Sequence, residues 1–170
     1  MFVLLNILAI VLNPGFEAGN LDRFSSPPHW TLYVIKAPVK GELSGDSHSG
    51  NFSYLIKTRE GSSPLMFSEA GEAFLQSEVF PTEEGKKYSF SLWVKGDGKA
   101  RLEVLWWEQY DEVARACQHQ LDSSGDIPCK GEWQRIKLDL SPPPKATRAY
   151  IRLVAEEGNV YFDDVSVEVK

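Results

Sequence analysis

The sequence predicts an all-β fold, an antiparallel β-sandwich of the jelly-roll type, from three observations. Apolar and polar residues alternate with a period of two in two central runs, as in half-buried strands. Six further short runs are rich in aromatic and β-branched residues. Clusters of Gly, Pro and Ser separate these runs, a pattern typical of sandwiches and jelly rolls. A length of 170 residues fits one domain.

The two central runs show the alternation most clearly. The first places on one face Tyr88, Phe90, Leu92 and Val94, and on the other Ser89, Ser91, Trp93 and Lys95. The second places on one face Leu102, Val104 and Trp106, and on the other Arg101, Glu103, Leu105 and Trp107. Because Gly96-Asp97-Gly98 lies between them, we expect a hairpin whose two polar faces form one continuous surface.

The remaining runs complete the predicted sandwich. Further strands are expected at Trp30–Ile35, Asn51–Lys57, Ala73–Phe80, Trp133–Leu140, Ala149–Ala155 and Asn159–Val169. The segment Glu108–Leu121 has apolar residues at helical spacing, but we interpret it as a long loop between strands. Within the sandwich, Trp30, Trp106 and Trp133 are predicted core residues.

Composition and motifs argue against two classes of function, nucleic-acid binding and catalysis. The net charge of −6 is the wrong sign for a phosphate backbone, so a pure nucleic-acid binder is not expected. No phosphate loop, zinc-protease motif or nucleophile elbow occurs, and the three histidines are scattered. The acids in Glu108–Glu112 are interpreted as solvated, because nothing places two of them across a cleft. The pattern does not support catalysis.

The first twelve residues, MFVLLNILAIVL, are apolar except for Asn6. They are too few to span a bilayer as a helix, which needs about 20 residues. They resemble the apolar part of a signal peptide, but a basic start and a small-residue cleavage site are missing. We therefore interpret residues 1–12 as a first strand or a signal-peptide remnant, and residues 13–170 as a single domain.

The two cysteines, Cys117 and Cys129, are too few for a structural zinc site. Their spacing suits one disulfide that closes a long loop, which chain entropy values at roughly 3 kcal/mol. Two unpaired thiols are the alternative. Because disulfides persist outside the cytosol, the pair favours an extracellular, secreted protein.

Several motifs occur in an order that resembles one group of proteins. They are Asn13-Pro14-Gly15-Phe16-Glu17, His48-Ser49-Gly50, Tyr88-x-Phe90-Ser91-x-Trp93-Val94-Lys95-Gly96 and Phe162-Asp163-Asp164-Val165-Ser166-Val167. Together they resemble the carbohydrate-binding modules grouped around families four, nine, sixteen and twenty-two, over residues 13–169. The resemblance implies a galactose-binding-like jelly roll that binds polysaccharide without catalysis and is typically attached to a secreted glycoside hydrolase.

The same resemblance implies a structural Ca²⁺ that joins the first and last strands. By position its ligands are Gly15, Glu17, Ser49, Phe52 and Asp163, with Asp46 as a possible addition. Calcium takes about 6–8 oxygen ligands, so mixed carboxylates and carbonyls suit it. Asp163 and Asp164 are neighbours on a strand and point to opposite faces, so only Asp163 is expected to join the site. Chelation is then expected to lower the melting temperature; a solvated carboxylate pair is the alternative.

A sugar-binding cleft needs exposed aromatic rings with polar groups beside them. Trp107 shares its predicted face with polar residues, so Trp107 and Tyr110 are the leading candidates for stacking. Next come Trp93, Gln109 and Glu103, and the weakest candidate is Phe67.

The expected function is a non-catalytic module that binds xylan, β-glucan or mannan by aromatic stacking and hydrogen bonds. A hydrolase domain in the same chain is the expected partner. One alternative is an extracellular adhesion or scaffold domain without a sugar cleft, since fold alone does not fix function. The other, less favoured, is a jelly-roll lyase or hydrolase.

Overall fold

The computed structural model describes residues 11–58, 71–108 and 119–170, which form strands and connecting segments. Nothing in these ranges forms a helix long and apolar enough to cross a membrane. Residues 1–10 lie outside the described ranges, so their assignment as a strand or signal remnant stays a prediction. Val11 is buried in the core, and neither Val11 nor Leu12 belongs to a strand.

One layer of the sandwich is a seven-stranded sheet. Its strands are β1 (Trp30–Lys36), β4 (Glu72–Ser77), β5 (Phe80–Pro81), β7 (Lys99–Glu108), β8 (His119–Ser123), β9 (Ile127–Pro128) and β11 (Ala146–Glu156). The main order is β1-β4-β11-β7-β8; β5 pairs with β11 and β9 pairs with β7. All of the recorded pairings are antiparallel.

The other layer is a five-stranded antiparallel sheet. Its strands are β2 (Lys40–Ser44), β3 (Ser53–Lys57), β6 (Tyr88–Gly96), β10 (Gln134–Leu140) and β12 (Asn159–Val169), in the order β10-β6-β12-β3-β2. Two antiparallel sheets packed face to face confirm the predicted sandwich class. Strand β2 was not among the predicted strands.

The core lies between the inner faces of the two sheets. Phe90 from the five-stranded sheet meets Trp106 from the seven-stranded sheet edge to face, with ring centroids 5.8 Å apart. Both side chains are fully buried, as the alternation predicted. Trp30 is also buried, which confirms its predicted core position, whereas Trp133 is only half-buried and lies outside the core cluster.

The predicted hairpin at Gly96-Asp97-Gly98 is wrong. This turn carries the chain from β6 in one sheet to β7 in the other. A second crossover, from β11 to β12, packs against it: the Asp97 N–H donates to the Asn159 carbonyl at 3.1 Å, and the Asn159 N–H donates to Asp97 Oδ1 at 2.6 Å. Paired strands of one sheet and facing strands of a sandwich show the same alternation, so the sequence pattern does not distinguish them.

The segment Glu108–Leu121 differs in part from its interpretation as a loop. Its last residues belong to strand β8, which pairs with β7 from Glu103–Ser123 to Trp107–His119. Residues 109–118 lie outside the described ranges.

Candidate functional site

The outer face of the seven-stranded sheet carries the polar halves of its alternating strands. On β11 the inner residues are Ala149, Ile151 and Leu153, and the outer ones are Arg148, Tyr150 and Arg152. Neighbouring strands add Phe74 and Gln76 from β4, Tyr33 from β1 and Trp107 from β7. These side chains therefore share one surface, on the opposite side of the sheet from the core.

Five of these residues form a row of side-chain contacts that crosses four strands. We call this row the aromatic strip, and its members are Tyr33, Phe74, Arg152, Tyr150 and Trp107. Tyr33 and Phe74 stack with centroids 5.0 Å apart. The Arg152 guanidinium lies over both Phe74, at 4.5 Å, and Tyr150, at 5.3 Å. The ring centroids of Tyr150 and Trp107 lie 5.8 Å apart. The strip offers flat rings with a charged donor in the middle.

The strip is most buried at its centre. Tyr150 is 5% exposed, and the neighbouring outer residues Glu103 and Leu105 are 7% and 9% exposed. Side chains of an outer face are this buried only when other groups of the protein cover them, so the centre of the strip is covered. Tyr33, at the sheet edge, is 44% exposed and forms its most accessible end.

An arginine with four carboxylates lies beside the strip. Arg101 Nε donates to Glu103 Oε1 at 2.7 Å, and its Nη1 donates to Glu156 Oε1 at 2.9 Å. Asp126 also accepts from Nη1, and Glu72 lies 3.8 Å from Nη2. Burial and the nearby Glu156 carboxylate raise the pKa of Glu72. All four acids lie close to one guanidinium and form ion pairs with it. This arrangement differs from that of a glycosidase, in which two acids face each other across a cleft.

The predicted sugar-binding residues have different outcomes. Trp107 is half-buried on the expected face and belongs to the strip. Glu103 is on the same face, but it is buried and its carboxylate is held by Arg101. Tyr110, Gln109 and Phe67 lie outside the described residues, so their roles stay predictions.

Trp93 lies on the opposite outer face, because β6 belongs to the five-stranded sheet. The His48 ring stacks on it with centroids 3.8 Å apart, and Trp133 approaches His48 edge-on at 5.8 Å. Lys95 lies 5.9 Å from the rings of both Trp133 and Tyr161. The prediction that Trp93 and Trp107 share one surface is therefore wrong, and the Trp93 indole packs against this chain's own side chains.

Four strip residues were not predicted from the sequence: Tyr33, Phe74, Tyr150 and Arg152. A signal existed for Tyr150 and Arg152, since they alternate with Ala149, Ile151 and Leu153 in a run predicted as a strand. For Tyr33 and Phe74 the inner and outer assignment depends on strand pairing, which the sequence does not contain.

The predicted calcium ligands do meet, around Gly15, but through N–H donors. Glu17 Oε1 accepts the N–H groups of Asn51 and Phe52, both at 2.9 Å. Asp163 Oδ2 accepts the N–H groups of His48 at 2.7 Å and Ser49 at 3.1 Å. The donated bond from Phe52 lowers the pKa of Glu17, and burial raises that of Asp163. The network ties the segment after Asn13 and the last strand to the 46–52 loop.

Asp164 joins the same network, contrary to the expectation that it points away. A register shift interrupts the pairing of β12 with β6 between Asp163 and Ser166, and Asp164 has a φ of 46°. A bulge of this kind re-aims a side chain. The Asp164 carboxylate consequently contacts His48 Nδ1 and accepts from Ser49 Oγ, each at 2.7 Å.

As arranged, these residues do not fit a bound calcium ion. Ser49 and Phe52 turn N–H groups toward the carboxylates, and Asp46 pairs with Lys95 at 2.6 Å. Within the described ranges no three Asp, Glu, His or Cys side chains are placed to hold a metal. The link between the first and last strands holds through hydrogen bonds, and the calcium ion stays a prediction that chelation tests.

Replacing Asp163 with alanine is expected to lower the free energy of unfolding by about 2–3 kcal/mol, because three backbone N–H groups lose their acceptor. Urea denaturation measures the change. Asp46→Ala is the matched control: it removes one exposed ion pair and is expected to cost under about 1 kcal/mol. Equal effects of the two substitutions would contradict a structural role for Asp163.

The cysteines leave the disulfide untested. Cys129 is half-buried, and burial raises the pKa of its thiol to about 11. Cys117 lies outside the described residues, so the pairing stays a prediction.

Comparison with known proteins defines the class of fold. No family model and no curated protein matches the chain. A family 61 carbohydrate-binding module solved with β-1,4-galactotriose superposes with a TM-score of 0.63 at 16% identity, covering 96% of this chain and 99% of the module. The C-terminal family 22 module of Clostridium thermocellum Xyn10B gives a TM-score of 0.53 at 17% identity, covering 92% and 90%.

The enzymatically active domain of bacteriophage CBA120 tailspike protein 4 has the higher TM-score of 0.73, at 17% identity. The match covers 95% of this chain but only 21% of the tailspike chain. The chain thus has the fold of carbohydrate-binding modules, which confirms the predicted resemblance and the jelly-roll sandwich.

Proposed function

We propose that this chain is a non-catalytic module that binds polysaccharide along the aromatic strip. The observation that carries the proposal is the row of contacting rings on one outer face, with Arg152 among them. A pyranose ring presents a face of C–H groups that stacks on a flat aromatic ring, and its hydroxyls accept hydrogen bonds from a guanidinium. The galactotriose-bound family 61 module supports the proposal through its shared fold.

Within this proposal the ligand is a chain of the xylan, β-glucan or mannan class. The partner is a secreted glycoside hydrolase carrying the module in the same polypeptide, and the protein acts outside the cell. The acids around Arg101 support a non-catalytic role, because their ion pairs leave none placed as a separate proton donor.

A second candidate is an adhesion or scaffold domain without sugar binding. The burial of Tyr150 favours it, because a ring covered by the protein's own groups leaves no room for a saccharide. The exposed Tyr33 favours the sugar-binding proposal instead.

Affinity electrophoresis through gels of xylan, β-glucan, mannan and cellulose separates the two candidates. The native protein is expected to be retarded by one or more of the polymers. Tyr33→Ala removes one stacking ring and is expected to weaken retardation by about fivefold, since an aromatic contact contributes on the order of 1 kcal/mol. No retardation of the native protein in any gel favours the scaffold candidate.

A further inference from the structure

Among the described residues, three arginines lie on the outer face of the seven-stranded sheet, and they differ in their partners. Arg101 is the hub of ion pairs with Glu72, Glu103, Asp126 and Glu156. Its charge is more than neutralised by these acids. Arg101 therefore has no capacity for a further anion.

Arg152 has only neutral partners among the described residues. Its Nε donates to Gln76 Oε1 at 3.2 Å, and its Nη2 donates to Tyr150 Oη at 3.1 Å. The nearest acid across the strand pairing is Glu103, whose Oε1 accepts from Arg101 Nε instead. The rings of Phe74 and Tyr150 hold the guanidinium at the centre of the strip. A partly buried cation with neutral partners is a prepared site for an anionic group.

Arg148 adds a second cation on the same strand and the same face. It lies four residues before Arg152, which is about 13 Å along a strand. It is exposed, its register partner on β7 is Trp107, and the described residues include no carboxylate paired with it. The strip thus has a cation at its centre, and Arg148 lies beside its Trp107 end.

We propose that the strip binds an acidic glycan, with uronic acid carboxylates received by Arg152 and Arg148. This rests on the proposed function, since the rings of the strip hold the sugar faces. The chemistry follows from the planar guanidinium, which donates two parallel hydrogen bonds to a carboxylate. A neutral glycan stacks on the same rings but gives the Arg152 guanidinium no anionic partner.

The test compares glucuronoxylan with the same polymer after its carboxyl groups have been reduced to alcohols. The native protein is expected to bind the acidic form about tenfold more tightly at low ionic strength, and added salt is expected to shrink the difference. Equal binding of the two polymers overturns the acidic-glycan proposal and leaves polysaccharide binding standing. If the protein binds neither form of the xylan but still binds neutral β-glucan or mannan, the acidic-glycan proposal is also overturned. If it binds no polymer at all, both the acidic-glycan proposal and the proposed polysaccharide binding are overturned.

Substitutions test whether the arginines cause the preference for the acidic polymer. Arg152→Gln keeps a hydrogen-bond donor without the charge, and is expected to bring the two affinities within about twofold of each other. Arg148→Gln, at an exposed position, is expected to lower the preference without affecting folding. The control is Arg135→Gln, whose guanidinium donates to Ser91 Oγ on the five-stranded sheet and is expected to leave the preference unchanged. A preference that survives in both the Arg152→Gln and the Arg148→Gln proteins overturns the proposal.

Discussion

Replacing Gly96 with alanine is expected to destabilise the protein by about 3–5 kcal/mol. A Cβ at this position would lie 1.9 Å from the carbonyl oxygen of Asn159, which is backbone in the adjacent crossover. Overpacking costs about 1–3 kcal/mol, and a left-handed backbone conformation adds a similar amount for a residue other than glycine. Gly96 has a φ of 147°. Both effects act on the point where the chain passes twice between the sheets.

Two control glycines separate the causes. Gly85 has a φ of 80° but open space around it, so Gly85→Ala measures backbone strain alone. Gly45 has neither constraint, and Gly45→Ala is expected to be close to neutral. Denaturant unfolding of the three variants should rank Gly96→Ala as the most destabilised. A Gly96→Ala protein as stable as Gly85→Ala would contradict the close packing of the crossovers.

Replacing Trp107 with alanine is expected to abolish retardation in polysaccharide gels. The substitution removes the largest ring of the strip and the support that it gives to Tyr150, at 5.8 Å. The loss of about 2–3 kcal/mol of stacking and burial corresponds to roughly 30- to 150-fold in affinity.

The matched control is Trp133→Ala. That indole is also half-buried but lies among His48, Lys95 and Tyr161, away from the strip. It is expected to leave retardation unchanged. Circular dichroism and thermal melting check that both variants fold. Unchanged retardation of a folded Trp107→Ala protein would remove Trp107 from the binding surface.

The sequence predicted the sandwich because alternation in a strand reports which side chains are buried. Phe90 and Trp106 are core residues for the reason the pattern gives, and Trp107 lies outside for the same reason. Alternation does not report which sheet a strand joins. The turn at Gly96 consequently looked like a hairpin, and Trp93 was assigned to the wrong face.

The strip itself depends on contacts between distant parts of the chain. Tyr33 meets Phe74 only because β1 pairs with β4, and Arg152 reaches Phe74 because β4 also pairs with β11. No local pattern contains these pairings. Glu17 and Asp163 do lie near the 46–52 loop, as predicted, but their carboxylates accept hydrogen bonds from its N–H groups. The sequence does not contain this detail, since backbone orientation decides whether N–H or carbonyl groups face a carboxylate.

The side-chain N–H signals of the five tryptophans in an NMR spectrum test the central claim most directly. The protein is titrated with soluble oligosaccharides of the polymer that retards it. Binding on the strip should shift the indole signal of Trp107 and leave those of Trp30, Trp93, Trp106 and Trp133 in place. A shift of Trp93 or Trp133 with Trp107 unmoved would put the saccharide on the five-stranded sheet and contradict the account.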